Sequence, residues 1–239
     1  MAYVEGFVTP VPTAKKKAYA EHAAEAAPLF KEFGATRVVE AWGDDVPDGE
    51  VTDFKRAVKA KDDETVAFGW LEFPSREARD AFTEKMESDA RMKEMGESMP
   101  FDGQRMIFGG FAPIVDEGDG EGGAYVDGYL VPVPSDKKQA YREVARKAAD
   151  VFKEYGATRV VEAWGDDVPD GEVTDFRRAV NAKKDETVVY SFIEWPTKKA
   201  RDTGMKKAME DPRMQPDRDT LPFDGKRMIF GGFESILDE

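Results

Sequence analysis

Three carboxylates and one guanidinium in the first half of the chain have the residue types of a buried acid–base or ligand-binding site. Glu5, Glu40 and Glu72 lie within short apolar segments, and Arg105 precedes another. Carboxylates clustered in an apolar cavity can raise one pKa into the range of a general base. An arginine among them can instead form a network that only neutralises buried charge, and we favour this structural role.

The same residue types recur 122 positions later, and Trp42, which could serve as a wall of a cavity, recurs with them as Trp164. The predicted ligand-binding residues are Glu5, Glu40, Trp42, Glu72 and Arg105 in the first half and Asp127, Glu162, Trp164, Glu194 and Arg227 in the second. A site needed in both halves must appear at both positions, and these residues meet that condition.

His22, the only histidine, does not meet the condition that a site residue appears in both halves. Its counterpart is Val144, so a role as catalytic base or metal ligand would require one half to have lost the function. A histidine on the surface of a helix is therefore favoured. Haem or zinc ligation by paired histidines is not expected.

The acidic segment 44–50 (DDVPDGE) contains the carboxylates and the glycine of a calcium loop, but its spacing is wrong. Val46 occupies the third position, and Lys55 stands where a bidentate glutamate is needed. We therefore predict a turn and no metal site. Gly109 and Gly110 lack the spacing of a dinucleotide-binding loop, and no cofactor is expected.

Composition limits the partners and the chemistry. The 239 residues carry a net charge of -14 and include no cysteine. The negative field disfavours nucleic acid and anionic membranes, and the lack of thiols excludes thiolate nucleophiles and zinc–thiolate sites. With no apolar segment long enough to cross a bilayer and no leader at the N-terminus, we expect a cytoplasmic protein. An unidentified small molecule remains the candidate partner.

A tandem duplication organises the chain. Residues 34–50 (GATRVVEAWGDDVPDGE) recur unchanged as residues 156–172, and the same offset aligns the rest without a gap. Similarity at this level requires one fold for both copies. We predict a first module over residues 1–115, a flexible acidic, glycine-rich linker over 116–124 and a second module over 125–239.

Each module has the pattern βαββαβ. We predict strands near residues 3–8, 36–42, 65–73 and 104–115 and helices from Thr13 to Gly34 and from Ser75 to about Ser88, with a helical turn near Phe54. This order is typical of a ferredoxin-like α+β module, with both helices on one face of an antiparallel sheet.

Strand alternation divides each sheet into two predicted faces. The first set, expected to pack against helices, is Val4, Gly6, Val8, Arg37, Val39, Ala41, Ala67, Gly69, Leu71, Met106, Phe108 and Gly110. The second set is Tyr3, Glu5, Phe7, Val38, Glu40, Trp42, Phe68, Trp70, Glu72, Arg105, Ile107 and Phe111. Large aromatics mixed with charge are costly both to expose and to bury unpaired. We therefore expect the second faces of the two modules to close on each other around a shared cavity, with Arg105 and Arg227 pairing with the carboxylates.

The sequence resembles the domain of unknown function 1428 family, within the dimeric α/β-barrel superfamily. The segments that carry the resemblance are YVEGFV (3–8), GDDVP (43–47), ETV (64–66), DARM (89–92) and PFDGQRMIFGGF (100–111). Ala90 departs from the pattern, whereas the second copy keeps Pro212. The resemblance implies single modules that pair as homodimers, so this chain resembles a fused dimer that forms an intramolecular α/β barrel.

The family resemblance implies no established activity and no catalytic residues. We predict a small-ligand-binding or structural module with a cavity between the repeats. The alternative is a cofactor-independent enzyme, similar to the monooxygenases or isomerases of the superfamily. Whether the protein is an enzyme, and whether the fused chain assembles further with itself, stay open at this stage.

Overall fold

The computed structural model describes residues 2–120, 123–215 and 221–239. The strands are β1 (Tyr3–Pro12), β2 (Arg37–Asp45), β3 (Glu64–Phe73), β4 (Ile107–Gly118), β5 (Tyr125–Pro134), β6 (Arg159–Asp167), β7 (Glu186–Trp195) and β8 (Ile229–Asp238). The α-helices are α1 (Lys16–Phe33), α2 (Phe54–Ala57), α3 (Arg76–Ser88), α4 (Ala90–Glu97), α5 (Lys138–Glu154), α6 (Phe176–Ala179) and α7 (Lys198–Glu210). None of the described helices is long and apolar enough to cross a membrane.

Local sequence explains where the main helices begin and end. Ser75 caps α3 by accepting a hydrogen bond from the backbone N–H of Ala78, and Thr197 caps α7 in the same way. Gly34 follows α1 with a φ of 122°, a conformation that glycine adopts without strain. The predicted cap at Thr13 is wrong, because Thr13 begins a short 3₁₀ turn and α1 starts at Lys16.

The eight strands close into one antiparallel barrel in the order β1-β3-β2-β8-β5-β7-β6-β4. Two seams join the repeats, because β2 pairs with β8 and β4 pairs with β6. The two seams are equivalent under the offset of 122, so the repeats contact each other through the same surface, as in a two-fold dimer. The predicted pairing of the repeats in an α+β barrel is confirmed.

Side chains fill the barrel interior. Phe68 stacks on Tyr190 with ring centroids 4.7 Å apart, and Trp70 stacks on Phe192 at 4.0 Å. Each stack joins equivalent positions of the two repeats, and all four side chains are fully buried. A Cβ atom on Gly6 would lie 2.8 Å from the Tyr190 ring, so glycine is needed there for the ring to fit. The predicted cavity between the repeats is therefore wrong: aromatic packing occupies that space.

An ion network lies at one end of this interior. Arg37 donates two hydrogen bonds to Glu194 at 2.7 and 2.9 Å, and Arg159 donates two to Glu72 at 2.7 and 3.1 Å. Each arginine also pairs with a carboxylate of a seam strand, Asp238 for Arg37 and Asp116 for Arg159. The predicted arginine–carboxylate network between the repeats exists, but these arginines supply it and not Arg105 or Arg227.

The outer face of the barrel packs against the helices, and here the predicted faces of two strands are wrong. The interior residues of β1 and β2 are Val4, Val8, Val39 and Ala41, whereas Tyr3, Phe7, Val38 and Trp42 lie in the helix-facing clusters. The faces of β3 and β4 agree with the prediction, since Phe68, Trp70, Ile107 and Phe111 are interior. Two strands were thus assigned out of phase with the other two, and a shift of one residue exchanges the faces of a strand.

Two predicted boundaries also differ, and one helix was not predicted. The last strand of the first repeat begins at Ile107 rather than at residue 104, because a 3₁₀ turn from Gly103 to Arg105 precedes it. The start of the predicted flexible linker is ordered strand: β4 continues to Gly118, paired with β6. Glu121 and Gly122 of that linker lie outside the described residues. Helix α4 was not predicted.

Candidate functional site

The structure places the ten predicted site residues at four kinds of location rather than in one cavity. Glu72 and Glu194 belong to the ion network inside the barrel. Burial alone would raise the pKa of Glu72, but Arg159 and Arg37 hold it below its ordinary value. These two carboxylates are neutralised and serve the junction of the repeats.

Glu5 and Asp127 form a second kind of location, on the helix-facing side of the barrel. Arg79 of α3 pairs with Glu5 and with Asp167 of the other repeat, and Arg201 of α7 likewise joins Asp127 to Asp45. Each arginine therefore links the two repeats across a seam. The acidic segment from residue 44, excluded as a calcium loop, supplies one of these contacts.

Arg105 and Arg227 are buried, but their predicted partners are wrong. Arg105 donates two hydrogen bonds to Glu64 at 2.6 and 2.7 Å and one to Asp102 at 2.8 Å. Arg227 bonds to Glu186 and Asp224 in the same way. Both arginines sit in turns before the last strand of their repeat, where strand alternation does not apply. They tie loops to strand ends.

The fourth kind of location is occupied by Glu40 and Glu162, with Trp42 and Trp164 on the same strands. Glu40 is 7% exposed, and the Tyr19 hydroxyl donates to its Oε2 at 2.6 Å. Trp42 packs beside Tyr19, with ring centroids 6.1 Å apart. Glu162 accepts an equivalent bond from Tyr141 at 2.7 Å.

No arginine or lysine neutralises Glu40 within the described part of the chain. Burial raises the pKa of Glu40 to about 8, although the hydrogen bond from Tyr19 opposes the rise. Burial raises the pKa of Glu162 to about 7. The pKa of Glu40 thus lies near neutral pH, the range in which a carboxyl group can both donate and accept a proton.

Glu40 borders a cavity of about 400 Å³ between the sheet of the first repeat and the helices α1, α3 and α4. We call it the first-repeat cavity. Its apolar walls include Phe7, Phe30, Leu71, Phe82, Met86, Met92, Met95, Met99, Phe101, Met106 and Phe108, and its polar groups include Thr9, Tyr19, His22, Glu40, Thr83 and the Glu5–Arg79 ion pair. A largely apolar wall with a few convergent polar groups is typical of small-molecule sites.

Helix α4 covers this cavity and is itself only loosely packed against the rest of the protein. It contains no buried residue, and it presents Met92 and Met95 to the cavity. Methionine side chains are flexible and polarizable, so they adapt to ligands of different shapes. This cover can adjust to what the cavity holds.

The second repeat differs at several positions of the cavity wall. Val131 replaces Thr9, Val144 replaces His22, Gly204 replaces Phe82 and Met205 replaces Thr83. Trp195 fills the space beside Gly204, where a Cβ atom would lie 2.5 Å from the indole. The Tyr–Glu pair is common to both repeats, whereas the wall around it is particular to the first.

Two features of this site were missed from the sequence. Neither Tyr19 nor Thr9 is among the site residues predicted above. His22, predicted at the surface, is half-buried and points its ring edge at Phe101, 6.2 Å between centroids. Burial lowers the pKa of His22. The differences between the repeats at residues 9 and 22 were the available signal.

Comparison with known families matches the two repeats separately. The family model described as "Protein of unknown function (DUF1428)" matches residues 2–103 and 124–225. The protein YbaA of Escherichia coli K12, described as uncharacterized, is 67% identical over 117 residues, which cover 49% of this chain and 100% of YbaA. YbaA of Shigella flexneri matches to the same extent. These relatives have the length of one repeat.

Solved structures resemble the whole chain. A candidate monooxygenase from Fusobacterium nucleatum has a TM-score of 0.61 at 10% identity and covers 100% of this chain and 94% of its own. A candidate monooxygenase from Lactobacillus acidophilus has a TM-score of 0.58 at 9% identity, with 99% and 95% covered. An anthrone oxidase-like protein has a TM-score of 0.51 at 11% identity, with 100% and 92% covered. At these identities the likeness establishes a common barrel fold.

Proposed function

The chain belongs to the DUF1428 family, and on that premise we propose that it is a fused pair of family modules that binds a small, largely apolar molecule in the first-repeat cavity. In this proposal Glu40 and Tyr19 form a proton-exchanging pair at the wall of the site. The observation that carries the proposal is a buried, unneutralised carboxyl beside an apolar space of about 400 Å³. Burying such a group is costly, and function is a common reason for it.

The alternative location for a ligand is the barrel interior, and packing argues against it. Stacked aromatic rings fill that space, and the carboxylates there are paired with arginine. The first-repeat cavity combines empty volume with a titratable group, so it is the location we propose.

A binding experiment tests this function with 2-naphthol, a neutral two-ring probe small enough for the cavity. The cavity-filling variant is Gly96→Phe, since a Cβ atom at Gly96 meets nothing within 4 Å and the residue borders the cavity. Lys93→Phe is the matched control, on the same helix but outside the wall. Calorimetric titration should give saturable binding that Gly96→Phe weakens at least tenfold and Lys93→Phe leaves within twofold. Absence of binding, or equal binding by both variants, contradicts the proposal.

The second candidate function is a cofactor-independent oxygenase acting on such a ligand. A carboxyl group with a pKa near neutral beside a ligand cavity favours it, because Glu40 can take a proton from the ligand. The fold shared with candidate monooxygenases and an anthrone oxidase-like protein also favours it. Anthrone and O2 give anthraquinone and water, so O2 uptake and absorbance report the reaction together. Activity that Glu40→Gln abolishes and Glu162→Gln spares supports the enzyme; an uptake rate equal to that without protein supports the binding module.

We also propose that each repeat is a ferredoxin-like module, with the first over residues 1–115 and the second over 125–239. The strand order β4-β1-β3-β2 within the first repeat and β8-β5-β7-β6 within the second supports this assignment. The βαββαβ order of the larger elements supports it too.

A further inference from the structure

Thr9 is a polar residue of the first-repeat cavity whose buried hydroxyl has no partner in the described part of the protein. Its side chain borders the cavity and its residue is 1% exposed. Its Oγ1 is the buried side-chain oxygen that has no hydrogen-bond partner in the described part of the chain. A buried hydroxyl without a partner has lost its hydrogen bonds to water without replacement, so it calls for an explanation.

The neighbours of Thr9 do not satisfy it. The Tyr19 hydroxyl is the nearest candidate partner: burial raises the pKa of Tyr19 well above its ordinary value, and a hydrogen bond from Thr9 would oppose that rise. The two hydroxyl groups do not, however, meet the distance and angle of a hydrogen bond. The Tyr19 hydroxyl is directed to Glu40 instead. The position does not require a hydroxyl for packing, because Val131 occupies it in the second repeat and is buried as well. Threonine and valine have nearly the same shape, so the difference between the repeats is the hydroxyl.

We propose that the ligand of the first-repeat cavity carries a hydroxyl or keto oxygen and that Thr9 Oγ1 forms a hydrogen bond with that oxygen. This inference rests on the proposed function and names the class of ligand. Thr9 can donate to a keto oxygen and can donate to or accept from a hydroxyl. Arg79 and Glu5 also border the cavity, but they are paired with each other, and Arg79 is paired with Asp167 as well. The rest of the wall is largely apolar and disfavours a charged ligand, because transfer of a charge into it is costly. A neutral molecule with an apolar body and one such oxygen fits the space.

A ligand oxygen bound to Thr9 would lie beside the Tyr19–Glu40 pair, and this position gives the ligand oxygen a chemical role. Thr9 and Glu40 lie on β1 and β2, the strands on either side of β3, and both border the cavity. Thr9 therefore acts as a positioning residue: it fixes the oxygen of the ligand near a group that can exchange a proton. In the second repeat Glu162 and Tyr141 are present without this hydroxyl.

The test compares 2-naphthol with 2-methylnaphthalene, which has the same rings and a methyl group in place of the hydroxyl. Wild-type protein should bind 2-naphthol at least fivefold more tightly, because only this probe satisfies Thr9. Thr9→Val should remove that preference, because it weakens the binding of 2-naphthol and leaves the binding of 2-methylnaphthalene unchanged. Thr9→Ser should keep the preference. Thr9→Ala provides a second hydroxyl-free variant that does not depend on the packing of valine.

The outcomes separate this inference from the proposed function. A preference for 2-naphthol that both Thr9→Val and Thr9→Ala retain would overturn the role of Thr9, while binding itself would uphold the site. Equal affinity of wild type for both probes would also overturn the inference and leave the site in place. Failure of both probes to bind would overturn the proposed function and, with it, the ligand class.

Discussion

Glu40 and Glu72 are the same residue type, both buried, and their pKa values move in opposite directions because their neighbours differ. Glu72 meets Arg159 and Arg37, which hold its pKa below the ordinary value against the effect of burial. Glu40 meets only a phenol, which cannot compensate the lost hydration, so its pKa rises to about 8. The neighbouring cation therefore decides which carboxylate is structural and which is available for chemistry.

The raised pKa of Glu40 predicts a pH dependence of stability. Because the folded state holds the proton more tightly, the stability that Glu40 contributes is complete below pH 4.5 and is lost as pH rises to about 8. Glu40→Gln removes this loss, so its free energy of unfolding relative to wild type should rise by about 1.4 kcal/mol per pH unit across that window. Urea unfolding of both proteins at several pH values measures this difference in free energy of unfolding.

Glu162→Gln is the matched control for this prediction. Its window is shorter, from 4.5 to about 7, so its advantage over wild type should level off at lower pH. A difference from wild type that stays constant with pH for Glu40→Gln would show that Glu40 is ionised in the folded protein.

The arginines of the barrel end predict a large effect of single substitutions. Arg159→Met leaves Glu72 buried beside one remaining guanidinium at 3.4 Å, so the free energy of unfolding should fall by about 3–5 kcal/mol. Arg76→Met, which breaks a largely exposed pair with Asp166, should cost about 0–1 kcal/mol. Chemical unfolding of both variants at pH 7 decides the matter, and equal effects would show that the network does not stabilise the barrel.

Sequence analysis identified the buried carboxylates but not their partners. Glu40 and Glu72 stood out because they recur in both repeats among apolar residues. Arg37 recurs too, but the assignment of β2 to the wrong face placed it towards the helices. Thr9 could not be recognised as a site residue, since only the three-dimensional contacts show that its hydroxyl has no partner.

At the scale of elements, alternation alone could not set the phase of β1 and β2. Both faces of β1 carry large apolar residues, Tyr3 and Phe7 on one side and Val4 and Val8 on the other. A closed barrel with helices outside buries both faces, so the usual contrast of apolar and polar sides is lost. Gly6 was the signal for the phase of β1, because a residue without a side chain is needed on the interior face where the Tyr190 ring packs against this strand.

The packing of Gly6 predicts that even one added methyl group is harmful there. Gly6→Ala should lower the free energy of unfolding by about 1–3 kcal/mol, because the new Cβ atom would lie 2.8 Å from the Tyr190 ring. Gly96→Ala on α4 meets nothing within 4 Å and should be neutral or stabilising by up to about 1 kcal/mol. Thermal unfolding compares the two, and a neutral Gly6→Ala would contradict the interior position of Gly6.

Helix α4 was missed for a reason that the duplication itself explains. Pro212, at the equivalent place in the second repeat, is a residue that ends helices, and the described part of the segment there starts with a 3₁₀ turn, Pro212–Met214. In the first repeat Ala90 stands at that position, and Asp89 caps a new helix by accepting from the backbone N–H of Arg91. The described residues of the two copies thus differ where the helix that covers the first-repeat cavity begins, at Ala90 and Pro212.

In the whole molecule the two repeats share one interior. The duplication in the sequence was enough to predict this. Alternation and family resemblance both predicted two modules closing on each other, and the two seams confirm it. The content of the closed space was not predictable from the sequence, because residue size does not show whether facing side chains interlock or leave a gap. Here the aromatic stacks interlock.

This shared interior predicts that a single repeat is not stable as a monomer. The separately produced segments 1–118 and 124–239 would each expose half of an aromatic core and two unpaired seam edges. Mixed together, they should form a 1:1 complex, and each alone should self-associate, as measured by analytical ultracentrifugation. A folded, monomeric first segment would show that the seams are dispensable.

The central claim, that the first-repeat cavity and not the barrel interior is the ligand site, is tested most directly by a crystal structure of the chain soaked with 2-naphthol. We predict density for the probe between the sheet and helices α1, α3 and α4, with its oxygen within hydrogen-bond distance of Thr9 Oγ1 and with the Trp70–Phe192 stack undisturbed. Density between the repeats inside the barrel, with those rings displaced, would contradict the account.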